Sequence, residues 1–401
     1  MKASKIIRLL AVILMICFVA SCALKIPPYI EPPIPVVIVV PDFYVAGLYY
    51  NGTNNVPSYW LNDQKVSCDG VPSTYLYPSE PLLAVDGSND MFMAFYEIDG
   101  SQAGICINST YNEFSLPLNE TAPSQPHAVD DAYMGTINGI AESNGEIYVV
   151  GNVNRNQIDC AGIQYYDNSF NCATLWRSST NYTPEFLPID TGVLPNVRDI
   201  TASSIYVDNG HVYVLASVSN HDGSWDVGYW LDGVFHKQKS LFSGVSGLYW
   251  IDPYQIKVIN GVVYESGLYN TSDGKTHAFY LKDGTLSVIS GIIGTATSSL
   301  YLYGMQILND TVYIAANTYN TLGISTAYLI SGSTVTTLNA KDSTYYSTAY
   351  GLGTDNYNNV VYVVGTITSK TTSATKGAIW STNSEPKFYD NVAEFSSIIV
   401  K

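Results

Sequence analysis

The chain has little charge, and most of that charge is acidic. Charged residues make up 13% of its 401 residues, with 18 Lys and Arg against 34 Asp and Glu, for a formal net charge of -16 at pH 7. A nucleic-acid partner requires a basic surface that neutralises phosphates, so this balance excludes that class of partner. The shortage of charge does not indicate disorder, because 46% of the residues are hydrophobic.

Sequence motifs that would identify an enzyme or a metal site are also missing. The five histidines are scattered, with no pair at the spacing of metal ligands. The chain contains no Gly-x-Ser-x-Gly sequence, no phosphate-binding loop and no dinucleotide fingerprint. We therefore predict no metal site and no cofactor. Catalysis stays open, because two carboxylates distant in sequence can meet in a folded site.

The apolar run near the N-terminus is too short to span a membrane as a helix. It extends from Leu9 to Val19, whereas a transmembrane helix needs about 20 apolar residues. Three basic residues precede it, as they precede the apolar core of a secretory signal peptide. We predict that residues 1–21 are a signal peptide.

The predicted signal peptide is followed by a cysteine in a characteristic setting. Val19-Ala20-Ser21-Cys22 resembles a bacterial lipobox. The resemblance implies cleavage before Cys22 and a diacylglyceryl group on its sulfur, and two or three acyl chains anchor a protein stably. Ala23 stands where many inner-membrane lipoproteins have Asp, which implies an outer-membrane or cell-surface location. The alternative is an ordinary signal peptide in which Cys22 is incidental.

Proline is concentrated in the segment after Cys22. Five prolines lie between residues 27 and 35, and this density favours an extended, semi-rigid backbone. We predict that residues 22–41 form a tether and that residues 42–401 form the folded part. Because the chain is acidic, we expect it to contact the membrane through the lipid anchor alone.

A short strand pattern recurs along residues 42–401. Its seven copies are FYVAG (43–47), MFMAF (91–95), IYVVG (147–151), VYVLA (212–216), VYESG (263–267), VYIAA (312–316) and VYVVG (361–365). The second residue is aromatic in every copy, and Gly or Ala follows three residues later in six of them. Turns such as Asn144-Gly145 and Asn209-Gly210 precede the pattern, and such pairs form two-residue β-hairpins.

The repeat predicts the fold. Further strands and turns follow each copy, which gives four antiparallel strands in about 50 residues, the size of a propeller blade. We therefore predict an all-β, seven-bladed β-propeller of four-stranded antiparallel blades. The recurring aromatic is expected to fill the apolar layer between blades. The small residue three positions later faces the opposite way, where we expect a crowded neighbour.

The two ends of the repeat region indicate how the ring closes. Residues 394–401 resemble residues 201–208, an innermost strand, but stop where the hairpin turn would begin. The first copy starts where such a turn would end. We predict that the C-terminal strand is the inner strand of the first blade. The alternative is that Val36–Val40 fills that position.

In architecture the chain resembles bacterial lipoprotein β-propellers, with kelch-like and WD40-like blades as structural relatives. It lacks the kelch double glycine followed by paired Tyr and Trp, and it lacks a Trp-Asp pair at the end of each repeat. The resemblance therefore implies a fold, and it implies no function.

Four cysteines remain after Cys17 leaves with the signal peptide and Cys22 is acylated. Cys160 and Cys172 lie in one long insertion of the third repeat, and we predict a disulfide between them in an oxidising compartment. For Cys68 and Cys106 there are two alternatives: they form a disulfide between the first two blades, or Cys106 is simply a small core residue. The sequence does not decide the connectivity.

The connectors that enter the inner strands supply the candidate binding residues. In a propeller these connectors gather on one face around the central funnel, and here they are rich in aromatic and a few charged residues. The candidates are Tyr133, Arg198, Asp199, Trp250, Asp252, Tyr301, Tyr303 and Tyr350. Aromatic rings, and Tyr in particular, suit adaptable recognition of sugars or peptides.

These features predict a monomeric, lipid-anchored, extracytoplasmic protein that binds a glycan or a protein through its funnel face. One alternative is a carbohydrate-active enzyme that uses two funnel carboxylates, at least one of them with a raised pKa. Another is a scaffold subunit of an envelope assembly, which would expose an apolar patch away from the funnel.

Overall fold

In a computed structural model, the chain forms seven antiparallel four-stranded sheets. The structure describes residues 41–71, 79, 81–96, 103–114, 134–155, 170–188, 190, 192–194 and 197–401. They lie in one compact unit, Pro41–Lys401. Residues 1–40 are outside the described residues, so the signal peptide, lipidation of Cys22 and the tether stay predictions. None of the helices in the described ranges is long and apolar enough to cross a membrane.

Each sheet is one blade. Blade 1 contains β1 (Phe43–Tyr50), β2 (Asn55–Leu61), β3 (Gln64–Ser67) and the last strand of the chain, β28 (Val392–Val400). Blade 2 contains β4 (Leu82–Val85), β5 (Met91–Tyr96), β6 (Ala103–Ile107) and β7 (Thr110–Glu113). Blade 3 contains β8 (Met134–Ser143), β9 (Glu146–Arg155), β10 (Phe170–Arg177) and β11 (Glu185–Phe186). Blade 4 contains β12 (Val197–Asp208), β13 (His211–Asn220), β14 (Trp225–Leu231) and β15 (Val234–Lys237).

Blade 5 contains β16 (Leu248–Ile259), β17 (Val262–Thr271), β18 (Thr276–Lys282) and β19 (Thr285–Gly294). Blade 6 contains β20 (Ser298–Leu308), β21 (Thr311–Asn320), β22 (Ser325–Ser331) and β23 (Thr334–Thr337). Blade 7 contains β24 (Tyr345–Asp355), β25 (Val360–Ser369), β26 (Thr375–Ser381) and β27 (Lys387–Tyr389). Two short 3₁₀ helices, Ser178–Thr180 and Lys239–Phe242, follow strands of blades 3 and 4.

The blades are arranged in a closed ring. The innermost strands are β28, β4, β8, β12, β16, β20 and β24. Each contacts the innermost strand of the next blade, and β24 contacts β28. The predicted seven-bladed β-propeller is therefore confirmed.

Blade 1 is built from both ends of the described chain. The register of β1 on β28 pairs Phe43 with Val400 and Tyr44 with Ile399. Beyond these strands, the Asp42 N–H donates to the Lys401 carbonyl at 2.8 Å and the Lys401 N–H donates back at 3.0 Å. This confirms closure by the C-terminal strand in place of Val36–Val40.

The Asx-rich turns adopt the predicted backbone. Asn144 and Gly145 both have positive φ, 54° and 80°, and so do Asn209 and Gly210, at 50° and 83°. Two consecutive residues with positive φ match the right-handed twist of an antiparallel pair, so these turns join the first and second strands of a blade tightly.

The recurring aromatic residues pack between neighbouring blades, as predicted. Tyr44, from blade 1, packs in one cluster with Met93 and Phe95 of blade 2. Tyr148, from blade 3, packs in one cluster with Val214 of blade 4. Four of the seven are buried, namely Tyr44, Phe92, Tyr148 and Tyr264. The other three are half-buried, namely Tyr213, Tyr313 and Tyr362. Six of the seven belong to core clusters, so their main role is to hold the ring together.

The small residue three positions later faces its own blade's inner strand. A Cβ atom on Gly151 would overlap the carbonyl oxygen of Thr136, and one on Gly365 would overlap that of Thr348. Both carbonyls belong to inner strands that bulge next to the glycine. The crowded neighbour is therefore a backbone carbonyl, and the small residue accommodates the bulge.

A disulfide links the first two blades. Cys68 follows β3 and Cys106 lies in β6, with their Cα atoms 5.9 Å apart. Of the two alternatives for this pair, the structure shows the bridge. Cys172 is also disulfide-bonded, while Cys160 lies outside the described residues, so their pairing stays a prediction.

Candidate binding site in the axial cavity

The ring encloses a cavity of about 620 Å³ at its centre. Residues from all seven innermost strands line it, so it lies on the axis of the propeller. Concave sites of this size are typical of small-molecule binding.

A β-bulge interrupts six of the seven inner strands as they pass the cavity. At each bulge the pairing with the second strand of the blade shifts. Second shifts in β8, β12, β16 and β28 leave out other residues, among them Arg198 and Tyr249. Next to the cavity, the residues left out of the pairing are Asn138, Ser203, Tyr254, Tyr303 with Gly304, Tyr350 and Ser396. All of them line the cavity. A bulge bends the strand and redirects a side chain, and here the redirected side chains form a ring around the axis.

In β16 the bulge brings two charged residues to the same cavity. Asp252 and Lys257 are five positions apart, which in a regular strand would place them on opposite faces. Both nevertheless line the cavity, because Tyr254 is inserted between them without a pairing partner. The residues that alternate with them, such as Ile251 and Ile256, are buried in the blade interfaces.

Asp252 is the acidic group on the aromatic side of the cavity. Burial raises its pKa to about 6, and a hydrogen bond from the Tyr254 hydroxyl opposes part of that rise. Burial and the nearby Asp252 carboxylate together raise the pKa of Tyr254, so the tyrosine stays protonated and donates. Because the only hydroxyl proton of Tyr254 is donated to Asp252, the pair offers acceptor oxygens to a ligand at neutral pH.

Lys257 is the only Lys or Arg among the described residues that line the cavity. Its Nζ lies 5.1 Å from the centre of the Tyr206 ring, within the range of a cation–π interaction. Burial lowers the pKa of its ammonium group to about 8, so the group is mostly charged at neutral pH.

Tyrosines are concentrated on one side of the cavity. The Tyr303 and Tyr350 rings meet edge to face across blades 6 and 7, with centroids 5.3 Å apart. Tyr301, 41% exposed, meets Tyr319 edge to face at 5.6 Å. The opposite side is lined by residues such as Asn138 and Ser396. The cavity thus has an aromatic wall on blades 5–7, while polar and aliphatic residues, together with Tyr206 of blade 4, line it from the other blades.

Three amide side chains in the wall are fixed by neighbouring inner strands. The Gln255 Oε1 atom accepts the Met305 N–H at 2.8 Å, and Gln306 Nε2 donates to the Leu352 carbonyl at 3.0 Å. Asn138 Nδ2 donates to a carbonyl of β12 at 2.6 Å. Each amide therefore uses one polar atom to join two blades and keeps its second polar atom for another partner.

The structure brings together four of the eight sequence-predicted site residues. The four that line the cavity are Asp252, Tyr301, Tyr303 and Tyr350. Trp250 instead packs edge to face on Trp225, with centroids 5.8 Å apart, between blades 4 and 5. Tyr133 lies outside the described residues.

Arg198 and Asp199 lie at the start of β12, away from the residues that line the cavity. Arg198 is exposed. The Asp199 carboxylate accepts the Asn171 backbone N–H at 2.9 Å, which ties blade 4 to blade 3, and burial raises its pKa. Asp199 is therefore held by a contact between blades.

Sequence reasoning missed Tyr206, Tyr254, Gln255, Lys257 and Gln306, which also line the cavity. These residues lie in the inner strands, after the connectors from which the candidates were taken. No residue pattern within β16 indicates the bulge that turns its side chains toward the axis. The only signal is indirect: the small residue three positions after each recurring aromatic marks where the inner strand can bulge.

Carboxylates are few around the cavity. Among the described lining residues they are Asp252 and Glu142, and the Glu142 Oε1 atom accepts the Gly145 N–H at 2.8 Å within a hairpin turn. In the described part of the chain, no group of three or more His, Cys, Asp or Glu side chains is placed to hold a metal ion.

No protein-family model matches the chain, and no curated protein matches it. Among solved structures, it is similar to AofleA from Arthrobotrys oligospora, at 7% identity and a TM-score of 0.39 over 89% of each chain. It is also similar to an ulvan lyase of polysaccharide lyase family PL25, at 11% identity and a TM-score of 0.42 over 88% of this chain and 85% of the lyase. A prolyl endopeptidase matches at 11% identity and a TM-score of 0.48, over 87% of this chain and 49% of the peptidase. At these values we draw nothing about ligand or activity from them.

Proposed function

We propose that the chain is a lipid-anchored, extracytoplasmic binding protein whose axial cavity takes a carbohydrate. The observation that carries the proposal is the wall of the cavity, where tyrosine rings alternate with hydrogen-bonding groups held in fixed positions. Tyr254, Tyr303 and Tyr350 supply the rings, and Asp252 supplies an acceptor beside them.

A carbohydrate suits this wall better than a protein loop or an apolar ligand. A sugar ring has C–H faces that pack on aromatic rings and hydroxyl groups that require partners. Gln255 and Gln306 offer one amide atom each for those partners, and their other amide atoms are held by the neighbouring blades. Groups held in place in this way lose little conformational entropy when the ligand binds.

The binding test compares two Tyr→Ala variants of the soluble unit, residues 41–401, which contains all seven sheets. Tyr303 lines the cavity, whereas Tyr357 is 67% exposed in the hairpin between β24 and β25. A glycan array identifies ligands, and calorimetry measures their affinity. We expect Tyr303→Ala to weaken binding at least tenfold and Tyr357→Ala to leave it unchanged. Failure of every glycan to bind, or equal loss in both variants, would contradict the proposal.

The anchor is tested separately in the full chain. The resemblance of residues 19–22 to a lipobox supports acylation of Cys22. In a bacterial host fed labelled palmitate, we expect the wild-type chain to carry the label and to fractionate with membranes. We expect Cys22→Ala to carry no label and to leave the membrane fraction. An unlabelled wild-type chain would rule the anchor out.

A further inference from the structure

Lys257 is a cation without a counter-charge in an acidic protein. The formal net charge of the chain is -16, yet the described residues give Lys257 no ion pair within 4.0 Å and no hydrogen bond. Within the described part of the chain, its ammonium group contacts the ring of Tyr206, at 5.1 Å. Lys257 is half-buried, and an ammonium group that loses part of its contact with water is costly unless it is paired.

The surroundings of Lys257 explain why its own fold does not neutralise it. Tyr206 faces it from β12, Gln306 lines the cavity from β20, and Tyr264 is its partner in the β16–β17 ladder. Glu142 lines the cavity from β8, but its carboxylate accepts a hydrogen bond within a hairpin turn. Asp208 of β12 lies near enough to Tyr206 to raise the pKa of its hydroxyl, but the Asp208 carboxylate accepts a hydrogen bond from Asn209 Nδ2 at 3.1 Å. Among the described residues, neither Glu142 nor Asp208 forms an ion pair with Lys257 within 4.0 Å.

We propose that the ligand supplies the missing negative charge, so that Lys257 Nζ is the subsite for an oxyanion of an acidic saccharide. The proposal rests on the proposed function and specifies the chemical class of the carbohydrate. The oxyanion is a uronate carboxylate or a sulfate ester, since both accept hydrogen bonds from an ammonium group.

The distance along β16 makes the two charges of the cavity compatible with one ligand. Asp252 and Lys257 pair with Leu268 and Tyr264, four positions apart on β17, which corresponds to about 13 Å at the rise of a β-strand. Because Coulomb energy falls with distance, Asp252 repels a charge held at Lys257 more weakly than an ammonium in direct contact attracts it. Asp252 would then accept hydroxyl groups at one end of the saccharide, while Lys257 binds the anionic group at the other.

The test uses residues 41–401 and a panel of di- to tetrasaccharides in three matched forms. The forms are the uronate, its carboxyl-reduced neutral analogue and the sulfate ester of that analogue. We expect at least one acidic form to bind at least tenfold more tightly than its neutral analogue. We expect the preference to disappear in Lys257→Met and to remain in Lys257→Arg.

Lys282→Met is the matched control. The Nζ of Lys282 also lies near a tyrosine ring, 5.5 Å from that of Tyr264, but Lys282 is not among the residues that line the cavity. We expect this variant to keep the preference for the acidic form. Melting temperatures of the three variants, together with their affinity for the neutral analogue, show whether the cavity is intact.

The preference should also depend on pH with a defined sign. Because burial lowers the pKa of the free Lys257 to about 8, the ammonium loses its proton above that pH. We expect affinity for the acidic form to fall about tenfold between pH 7 and pH 9, since one proton is required for binding.

The outcomes separate the two proposals. Equal binding of acidic and neutral forms, or a preference that survives Lys257→Met, overturns the oxyanion subsite and leaves carbohydrate binding standing. If no saccharide of any form binds to the wild-type protein, both proposals fail.

Discussion

Replacing Glu265 by Gln tests the energetic cost of a carboxyl group buried between two blades. Glu265 lies in β17 and is 2% exposed. The Nε2 atom of Gln238, at the end of blade 4, donates to the Glu265 Oε1 atom at 2.6 Å. Burial nevertheless raises the pKa of Glu265 to about 7. The buried Oε1 atom of Gln238 has no hydrogen-bond partner among the described residues, and an ionised Glu265 carboxylate has no proton to donate to it.

The magnitude follows from the difference in pKa between the unfolded and folded states. From its ordinary value of 4.5, the pKa of Glu265 rises to about 7, and a difference of one pH unit between the two values corresponds to about 1.4 kcal/mol. The contribution of protonated Glu265 to the free energy of unfolding is fully present below pH 4.5, where the group is protonated in both the folded and the unfolded state. It is lost as pH rises through the folded-state pKa, so above pH 7 the ionised Glu265 costs about 3 kcal/mol.

Glu265→Gln removes this cost without changing the shape of the side chain. The new amide is neutral at every pH and can donate to Gln238 Oε1 while its own oxygen accepts from Gln238 Nε2. We therefore expect the variant to match the wild-type stability near pH 4.5. At pH 8 we expect its free energy of unfolding to exceed that of the wild type by about 3 kcal/mol.

Urea denaturation at pH 4.5, 6 and 8 measures the difference directly. Glu385→Gln is the control, because Glu385 is an exposed glutamate of blade 7. Its free energy of unfolding is expected to follow the wild type within about 0.5 kcal/mol at each pH. A difference between Glu265→Gln and the wild type that stays constant from pH 4.5 to pH 8 would refute the reasoning.

Three further changes test the ring, each by urea denaturation or thermal melting. Gly365→Ala places a methyl group against an inner-strand carbonyl, and we expect it to lower the free energy of unfolding by about 1–3 kcal/mol. The control is Gly87→Ala, whose methyl group meets no atom within 4 Å and should cost less than about 0.5 kcal/mol. Equal effects would contradict the role of the small residue. Cys106→Ser opens a bridge to Cys68 that spans 38 residues, and we expect a loss of about 4 kcal/mol. Cys172 is also disulfide-bonded, so reductant should destabilise the variant too, but by less than it destabilises the wild type. Phe395→Ala truncates a side chain of the closing strand with 0% exposure, and we expect a loss of about 3–5 kcal/mol; wild-type stability would mean that β28 does not hold the ring.

The fold could be predicted from the sequence because its signals are local and repeated. Five of the seven aromatics come four residues after the first residue of an Asx-rich turn, as Tyr148 does after Asn144-Gly145, so the period reveals the blade. The resemblance of residues 394–401 to an inner strand revealed the closure as well. These signals depend on hydrophobic burial and turn geometry, which short stretches of sequence encode directly.

The candidate site was only partly predictable, because bulges change which residues face the axis. Asp252 was found since it belongs to an aromatic connector, but Lys257 was not. In an unbroken β16, alternation would have placed Lys257 on the opposite face from Asp252. Trp250 was chosen for its residue type, yet it packs on Trp225, a contact between blades that no local pattern shows.

The ring of bulges separates the residues that maintain the propeller from many of those that face its centre. Tyr254, Tyr303 and Tyr350 stand outside the strand pairing, while the recurring aromatics hold the blades to one another. Exchanging a bulged tyrosine for another side chain leaves the pairing of its strand in place. The side chains that face the axis can therefore be exchanged through a few substitutions at the bulges, while the architecture stays the same.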